Sequence, residues 1–310
     1  MSISGKTPTC IVLTLNESQA QQLQAICRKR DFELYAVPYA QFAFRASDFS
    51  LVQYQSGKLV LQGKGASDFV TFTIEPQVTL APLQGNEEVY HPEWFLPHAG
   101  LDESGKGDFF GPVVAACVIA GDNAVRAFQA MGVRDSKRIT SDKAVLALAD
   151  KIRATAGVVV EVMSLSMEKY NALYVRFGRN LNRLLGWLHR CALKNALQRR
   201  YVTTGLLDQF SKQPIVQTMI RKDFPEFHLA METRAERDPV VAAASIVARA
   251  AYLRQMEALS EAAGEPLLKG ASSRVKQQGQ KIWEHSGTEG LARFCKTHFK
   301  TFGEICGIQA

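Results

Sequence analysis

Apolar positions along the chain change period several times, and the changes delimit elements. CIVLTL (10–15) reads as a strand, after which Asn16 is placed to cap a helix over ESQAQQLQAICRKR. Ala20, Leu23, Ala25 and Ile26 give that helix a partial apolar stripe, and its basic end suits a C-terminus. FELYAV, FSLVQYQ, KLVLQG and FVTFTI then predict short strands, the middle two joined by a turn at Ser56-Gly57. This first part of the chain is expected to be a small, mostly antiparallel α+β module. The stretch LAPLQGNEEVYHPE (80–93) combines Pro82, Gly85 and Pro92 with little periodicity. It reads as a linker, giving a module at 1–85, a connector at 86–95 and a larger domain at 96–310.

In the larger domain, AGLDE, PVVAACVIA and GVVVEVMSL predict strands, and the unbroken apolar run of the second suits a strand covered on both faces. Residues 167–177 and 180–200 read as helices. In the latter, Leu181, Leu184, Leu185 and Leu188 face inward, while Arg183, Trp187, Arg190 and Lys194 share the other side. YVTTGLLD is a strand ending on an acid, and EFHLAME is a shorter one. Asp238-Pro239 marks the start of an Ala-rich helix to about residue 263, with Asp as cap and Pro in the first turn. Two basic amphipathic segments, 270–287 and 288–299, complete a domain that reads as α/β, a mixed sheet flanked by helices.

Composition narrows the function. At 310 residues with 46% apolar and 22% charged positions, the chain is too hydrophobic to be disordered. Its longest apolar run, Pro112–Ala120, is strand-length, and the N-terminus lacks the apolar core of a signal peptide, so a cytoplasmic protein without a membrane span is expected. Six dispersed cysteines without a C-x-x-C pair read as reduced core thiols. The net charge of +7 matters through its distribution, since Arg176, Arg179, Arg183, Arg190, Lys194, Arg199 and Arg200 fall in a stretch with no acid. That segment alone equals the whole excess and suits a polyanionic partner.

The chemistry concentrates in LDESGKGDFFGP (101–112). Asp102 and Glu103 end a predicted strand, and adjacent strand residues point to opposite sides unless the backbone bends. An acidic pair before a glycine turn is more often a solvated hairpin. Asp208, however, also terminates an apolar strand, where a carboxylate either caps the next element or binds something. Glu236 lies just before the Ala-rich helix, with Glu232 and Asp238 close by. Hard divalent cations take oxygen ligands, often a few carboxylates plus water and substrate oxygens, and two ions roughly 4 Å apart can orient a water and stabilise a leaving oxygen. The glycines around Lys106 would let backbone N–H groups approach a sugar-phosphate closely, although the spacing is not that of a P-loop. A non-catalytic nucleic-acid binder using the basic helix is the alternative.

Taken together, D-E-S-G-K-G-D-F-F-G-P (102–112), D-S-K (135–137), Y-N-x-L-Y…N-L-N-x-L-L-x-W (170–187), the Asp208 strand, T-R-A-E…A-A-A-S-I-x-A-R (233–249) and K-G-A (269–271) resemble the ribonuclease HIII family of type 2 ribonucleases H. The first module, with S-G-K…Q-G-K at 56–64, resembles the family's TATA-box-binding-protein-like domain. The resemblance implies a ribonuclease H-like catalytic domain that hydrolyses the RNA strand of RNA/DNA hybrids with Mg²⁺ or Mn²⁺, leaving 3′-hydroxyl and 5′-phosphate ends. It implies Asp102, Glu103, Asp208 and Glu236 as the metal-binding catalytic set. Gly105, Lys106 and Gly107 would read the RNA strand, with Lys137, Arg183 and Lys58 as further substrate contacts and Lys269 a weaker candidate. The substrate is then the hybrid itself, with no obligate protein partner and a monomer expected. The module's own balance, seven basic against six acidic residues over 1–85, does not by itself announce nucleic-acid binding. Lys64 and Tyr54 join Lys58 as candidates on its sheet.

Overall fold

The structure is a computed structural model and describes residues 10–80, 88, 91–133, 136, 139–211 and 213–308. The chain divides into two compact units, Met1–Glu93 and Trp94–Ala310. Residues 86, 87, 89 and 90 of the expected connector lie outside the described residues, and Pro92–Phe95 form a 3₁₀ turn.

In the first unit, strands β1 (Cys10–Thr14), β2 (Glu33–Leu34), β3 (Ala40–Arg45), β4 (Phe49–Tyr54) and β5 (Lys58–Gly63) form an antiparallel sheet in the order β1-β5-β4-β3-β2. Helix α1 (Glu17–Lys29) starts at Asn16 with a reciprocal capping box, Asn16 and Gln19 each accepting the other's backbone N–H. Two expectations fail. FELYAV contributes only the exposed two-residue edge strand β2, and the inner strand is β3, whose Phe42 and Phe44 alternate into the core. FVTFTI is helical: α2 (Ala66–Phe69) runs into a π-type helical stretch, Val70–Thr79. Phe69, Val70, Ile74 and Val78 all enter one core with Leu51, Leu59 and Leu61, while Phe72 stays exposed. Burial at helical spacing overrides the β propensity of Val, Thr, Phe and Ile.

In the second unit the sheet is mixed, in the order β10-β9-β6-β7-β8, from β6 (His98–Ser104), β7 (Val114–Ala120), β8 (Val159–Met163), β9 (Thr204–Asp208) and β10 (His228–Glu232). Strands β6, β9 and β10 are parallel, and β7 and β8 run antiparallel to their neighbours. Helices α3 (Asp122–Ala130), α4 (Asp142–Ala154), α5 (Met167–Arg176), α6 (Leu181–Arg199), α7 (Ile215–Asp223), α8 (Pro239–Ala263), α9 (Ser273–Ala292, broken at Gly287) and α10 (Lys300–Cys306) flank it.

The two faces are covered differently. Leu101, Cys117, Ile119 and Leu207 pack with Ala192, Leu193 and Ala196 of α6. Ala116 and Val118 pack with Val240, Ala243, Ala244 and Val247 of α8. Asp238 caps α8 by accepting from Val240 N at 2.7 Å and Val241 N at 3.3 Å, and its carboxylate pairs with buried His98 at 3.0 Å. Gly100 lets the start of α8 press against β6, since a Cβ there would fall 2.5 Å from the backbone of Val240 and Val241. No described helix is long and apolar enough to cross a membrane.

Candidate active site

The pleat sorts the acids. Leu101 pairs with Leu207, both on the α6 side, so Asp102 and Asp208, the next residue of each strand, turn together toward the α8 side. They stand at the carboxyl ends of adjacent parallel strands, where open α/β sheets place their ligand sites. Asp208 Oδ1 accepts from Ala235 N at 3.0 Å, which fastens the turn carrying Glu236 to the end of β9. That turn reverses at Arg234, whose φ of 61° is left-handed, and Ala235–Arg237 follow as a 3₁₀ turn. Of the nearby acids, Asp238 is the buried helix cap. Glu232 is exposed, pairs in register with Asp208, and shares its face.

Burial pushes the Asp102 carboxyl up to about 7, and the charges of Glu103 and then Asp208 add to the rise, against hydrogen bonds from the Ser245 hydroxyl and the Glu103 amide. Like charges gathered at one strand end raise one another's proton affinity, and this is an environment that a cation relieves. Among the described residues, no three His, Cys, Asp or Glu side chains close into one coordination shell. An open, oxygen-only set of this kind suits a hard divalent ion that keeps several waters and takes oxygens from a phosphate.

Glu103 turns to the opposite face. Its Oε2 lies 3.1 Å from His189 Nε2 of α6, and its Oε1 lies 3.8 Å from Lys106 Nζ. Lys106 also sits 5.4 Å from the centre of the Phe210 ring, which stacks on His189 at 5.5 Å. His189 was not legible as a site residue. Its only signal is a polar ring on the buried side of an amphipathic helix, between Leu188 and Ala192.

The turn after β6 is held by segments far along the chain. Gly105 has φ 84°, and a Cβ there would fall 2.5 Å from Pro112 O, so the turn requires glycine at that position. A Cβ on Gly107 would meet nothing within 4 Å, so packing among the described residues does not call for glycine there. Downstream, Phe109 N donates to Gly270 O at 2.8 Å, Gly270 N to Asp108 Oδ1 at 2.5 Å, and Gly111 N to Phe294 O at 2.9 Å. Lys296 Nζ is buried and donates to Asp108 O at 2.6 Å and to Gly111 O. Asn171 Nδ2 in turn holds Ala292 O at 3.1 Å and Cys295 O at 3.0 Å. The K-G-A and Y-N motifs thus act through the turn.

The basic residues divide. Arg190 is paired with Asp223 at 2.5 Å, Arg199 with Glu161 at 2.7 Å, and Arg200 donates to Gly157 O at 2.6 Å. Arg176, Arg179 and Arg183 are exposed around the start of α6. Lys269 is paired with Asp142 at 2.5 Å, so a phosphate would have to compete for it. Lys137 lies outside the described residues, but its neighbour Ser136 is fixed by a 2.8 Å bond to Ser245 and by Arg249, which donates to its carbonyl. Lys58 lies in the first unit, exposed at the start of β5 on the same side of the strand as Val60 and Gln62. Tyr54 is half-buried on that open side of the sheet, so it is not part of the Phe-rich core.

A ribonuclease HII family model matches residues 99–302, and a domain of unknown function, DUF3378, matches 10–78. A ribonuclease HIII from Chlamydia trachomatis serovar D is 40% identical over 303 residues, covering 97% of this chain and 98% of the relative. The chain belongs to the ribonuclease HIII family. It is therefore a hydrolase of the ribonuclease H kind. The Chlamydia muridarum ribonuclease HIII is likewise 40% identical, over 306 residues. Among solved structures, Bst-RNase HIII in complex with Mn²⁺ superposes with a TM-score of 0.65 at 28% identity, covering 96% of this chain and 98% of that one. Aquifex aeolicus RNase H3 matches with a TM-score of 0.55 at 26% identity, covering 94% and 100%. The ribonuclease H-like mixed sheet expected for the larger domain is the one these relatives share.

Proposed function

We propose that this ribonuclease HIII cuts the RNA strand of RNA/DNA hybrids internally, with Asp102, Glu103, Asp208 and Glu236 as its metal-binding catalytic set. The observation that carries the proposal is the emergence of Asp102 and Asp208 on one face, one step beyond the Leu101–Leu207 rung, with Glu103 adjacent and the Glu236 turn bonded to Asp208. Mg²⁺ or Mn²⁺ bound there supplies a water of lowered pKa and a positive charge for the leaving oxygen. The chain's part is to hold the scissile phosphate over those carboxylates. Water attack at phosphorus with departure of the 3′ oxygen leaves 3′-hydroxyl and 5′-phosphate ends. Glu236 is preferred over Glu232 because it is partly buried and its own turn is tied to Asp208.

The substrate-reading surface is the Gly105-Lys106-Gly107 turn. A hybrid displays 2′-hydroxyls along a broad, shallow minor groove, and a glycine backbone can approach them where a side chain would not fit. Exposed Arg183 and the lysine of D-S-K, Lys137, add attraction to flanking phosphates. The first unit, as a TATA-box-binding-protein-like domain, would add affinity through the open side of its sheet, where Lys58 and Tyr54 lie with Val52 and Val60; Lys64 lies just past the end of β5. The proposed carboxylates all come from one chain, which fits a monomer needing no protein partner. Free thiols packed in both cores fit the reducing cytoplasm.

The test is a labelled RNA strand offered alone, in RNA/RNA and in RNA/DNA, with Mg²⁺, Mn²⁺ or chelator. Cutting is expected only in the hybrid and only with metal, and cleavage that persists in chelator would remove the metal from the proposal. A Lys58→Glu substitution is expected to weaken hybrid binding several-fold and to flatten its salt dependence, with turnover at saturating substrate unchanged. Unaltered affinity in a salt titration would take the first unit's sheet out of substrate binding.

A further inference from the structure

Glu103 leaves the sheet on the α6 side, away from the carboxylates on the α8 side, and has a partner of its own in α6. The His189 side chain is fully buried, its Nε2 lies 3.1 Å from Glu103 Oε2, and its Nδ1 has no hydrogen-bond partner among the described residues. An unpaired buried N–H costs more than an unpaired lone pair, so the ring proton belongs on Nε2, where it is donated to the carboxylate. The ring has little freedom to leave. It stacks on Phe210 with planes 14° apart, and Phe210 follows Asp208 by two residues. Lys106 closes the circuit, lying 5.4 Å from the Phe210 ring centre and 3.8 Å from the other Glu103 oxygen. Three residues, Lys106 of the following turn, His189 of α6 and Phe210 after β9, are thus grouped beside one β6 carboxylate.

We infer that His189 is a positioning residue for Glu103. It holds Oε2 by a donated hydrogen bond, so that Oε1 is the oxygen presented to a cation or to Lys106. Partners of ligating carboxylates that fix orientation in this way typically govern metal affinity about 10- to 100-fold. The inference rests on the acidic set proposed above. It gives α6 a second role besides its exposed basic end, because the helix that attracts a polyanion also aims one of the acids.

Mn²⁺ binding to the full-length protein, measured by calorimetry and by the paramagnetic resonance signal of the free ion, tests this on wild type, Asp102→Asn, His189→Phe and His189→Gln. Phenylalanine keeps the stack on Phe210 and removes the donor, whereas glutamine restores a donor. The Phe variant is expected to bind Mn²⁺ about 10-fold more weakly and to need correspondingly more Mn²⁺ for half-maximal cleavage, with KM for the hybrid unchanged and most of the loss recovered by Gln. Wild-type affinity in the Phe variant, or equal impairment by Phe and Gln, overturns the inference. A second measurement needs no variant: ¹⁵N shifts of the wild-type imidazole should report the proton on Nε2, and a proton on Nδ1 overturns it equally. If Asp102→Asn binds Mn²⁺ like wild type, it is the acidic set that fails.

Discussion

Replacing Asp208 by Asn is expected to lower hybrid cleavage by more than about 100-fold, beyond the range typical for losing an orienting partner, while hybrid binding in the absence of metal changes little. The substitution keeps shape and one acceptor, so the bond from Ala235 N and the turn carrying Glu236 should survive. What disappears is the negative charge at the end of β9 beside Asp102. Thermal denaturation gives an independent readout, because a ligand bound only by the folded state raises the melting temperature. Mg²⁺ should stabilise the wild type and have much less effect on the Asp208→Asn protein. Full turnover in that variant would mean that the carboxyl end of β9 is not the site. Glu236→Gln should cost more activity than Glu232→Gln, and the reverse order would make Glu232 the fourth acid.

Much of this site was legible because strand-end acids have no packing role. Asp102 and Asp208 follow apolar runs, and parity alone predicts that adjacent residues such as Asp102 and Glu103 leave the sheet on opposite sides. That separation is observed, with Asp102 toward Ser245 of α8 and Glu103 toward His189 of α6. Contacts spanning most of the domain were not legible. Nothing local links Gly270 to Asp108, Lys296 to the 108–111 turn, or Arg190 to Asp223. FVTFTI failed for a related reason: its β-branched residues favour a strand, but the packing of Val70, Ile74 and Val78 beside Leu59 and Leu61 decided the matter.

Lys296→Met is expected to loosen the turn after β6, proposed above to read the substrate, and to show it through pH. In the wild type, burial pushes the Lys296 ammonium down to about 7, against the pull of Asp108. Its Nζ bridges Asp108 O and Gly111 O, and the rings of Tyr170 and Phe299 lie at 5.8 and 5.7 Å. An unfolded lysine holds its proton to about 10.4. Between about 7 and 10.4 the unfolded chain therefore binds more protons than the folded one, and wild-type stability from this group rises with pH, by at most about 1.4 kcal/mol per unit. Below about 7 both states are charged and the burial penalty is present in full. The neutral amine still has N–H groups for both carbonyls, so the bridge persists as the penalty is relieved. Methionine keeps the volume but leaves the part-buried Asp108 O and the buried Gly111 O without this donor, at a cost of about 1–3 kcal/mol for the buried one. Urea denaturation of the two proteins from pH 6.5 to 9.5 should show the wild-type advantage growing above pH 7, and a flat or shrinking difference would refute a buried, proton-shedding Lys296. Because Lys296 holds the turn and not the strand-end acids, KM for the hybrid should rise in the variant more than kcat falls.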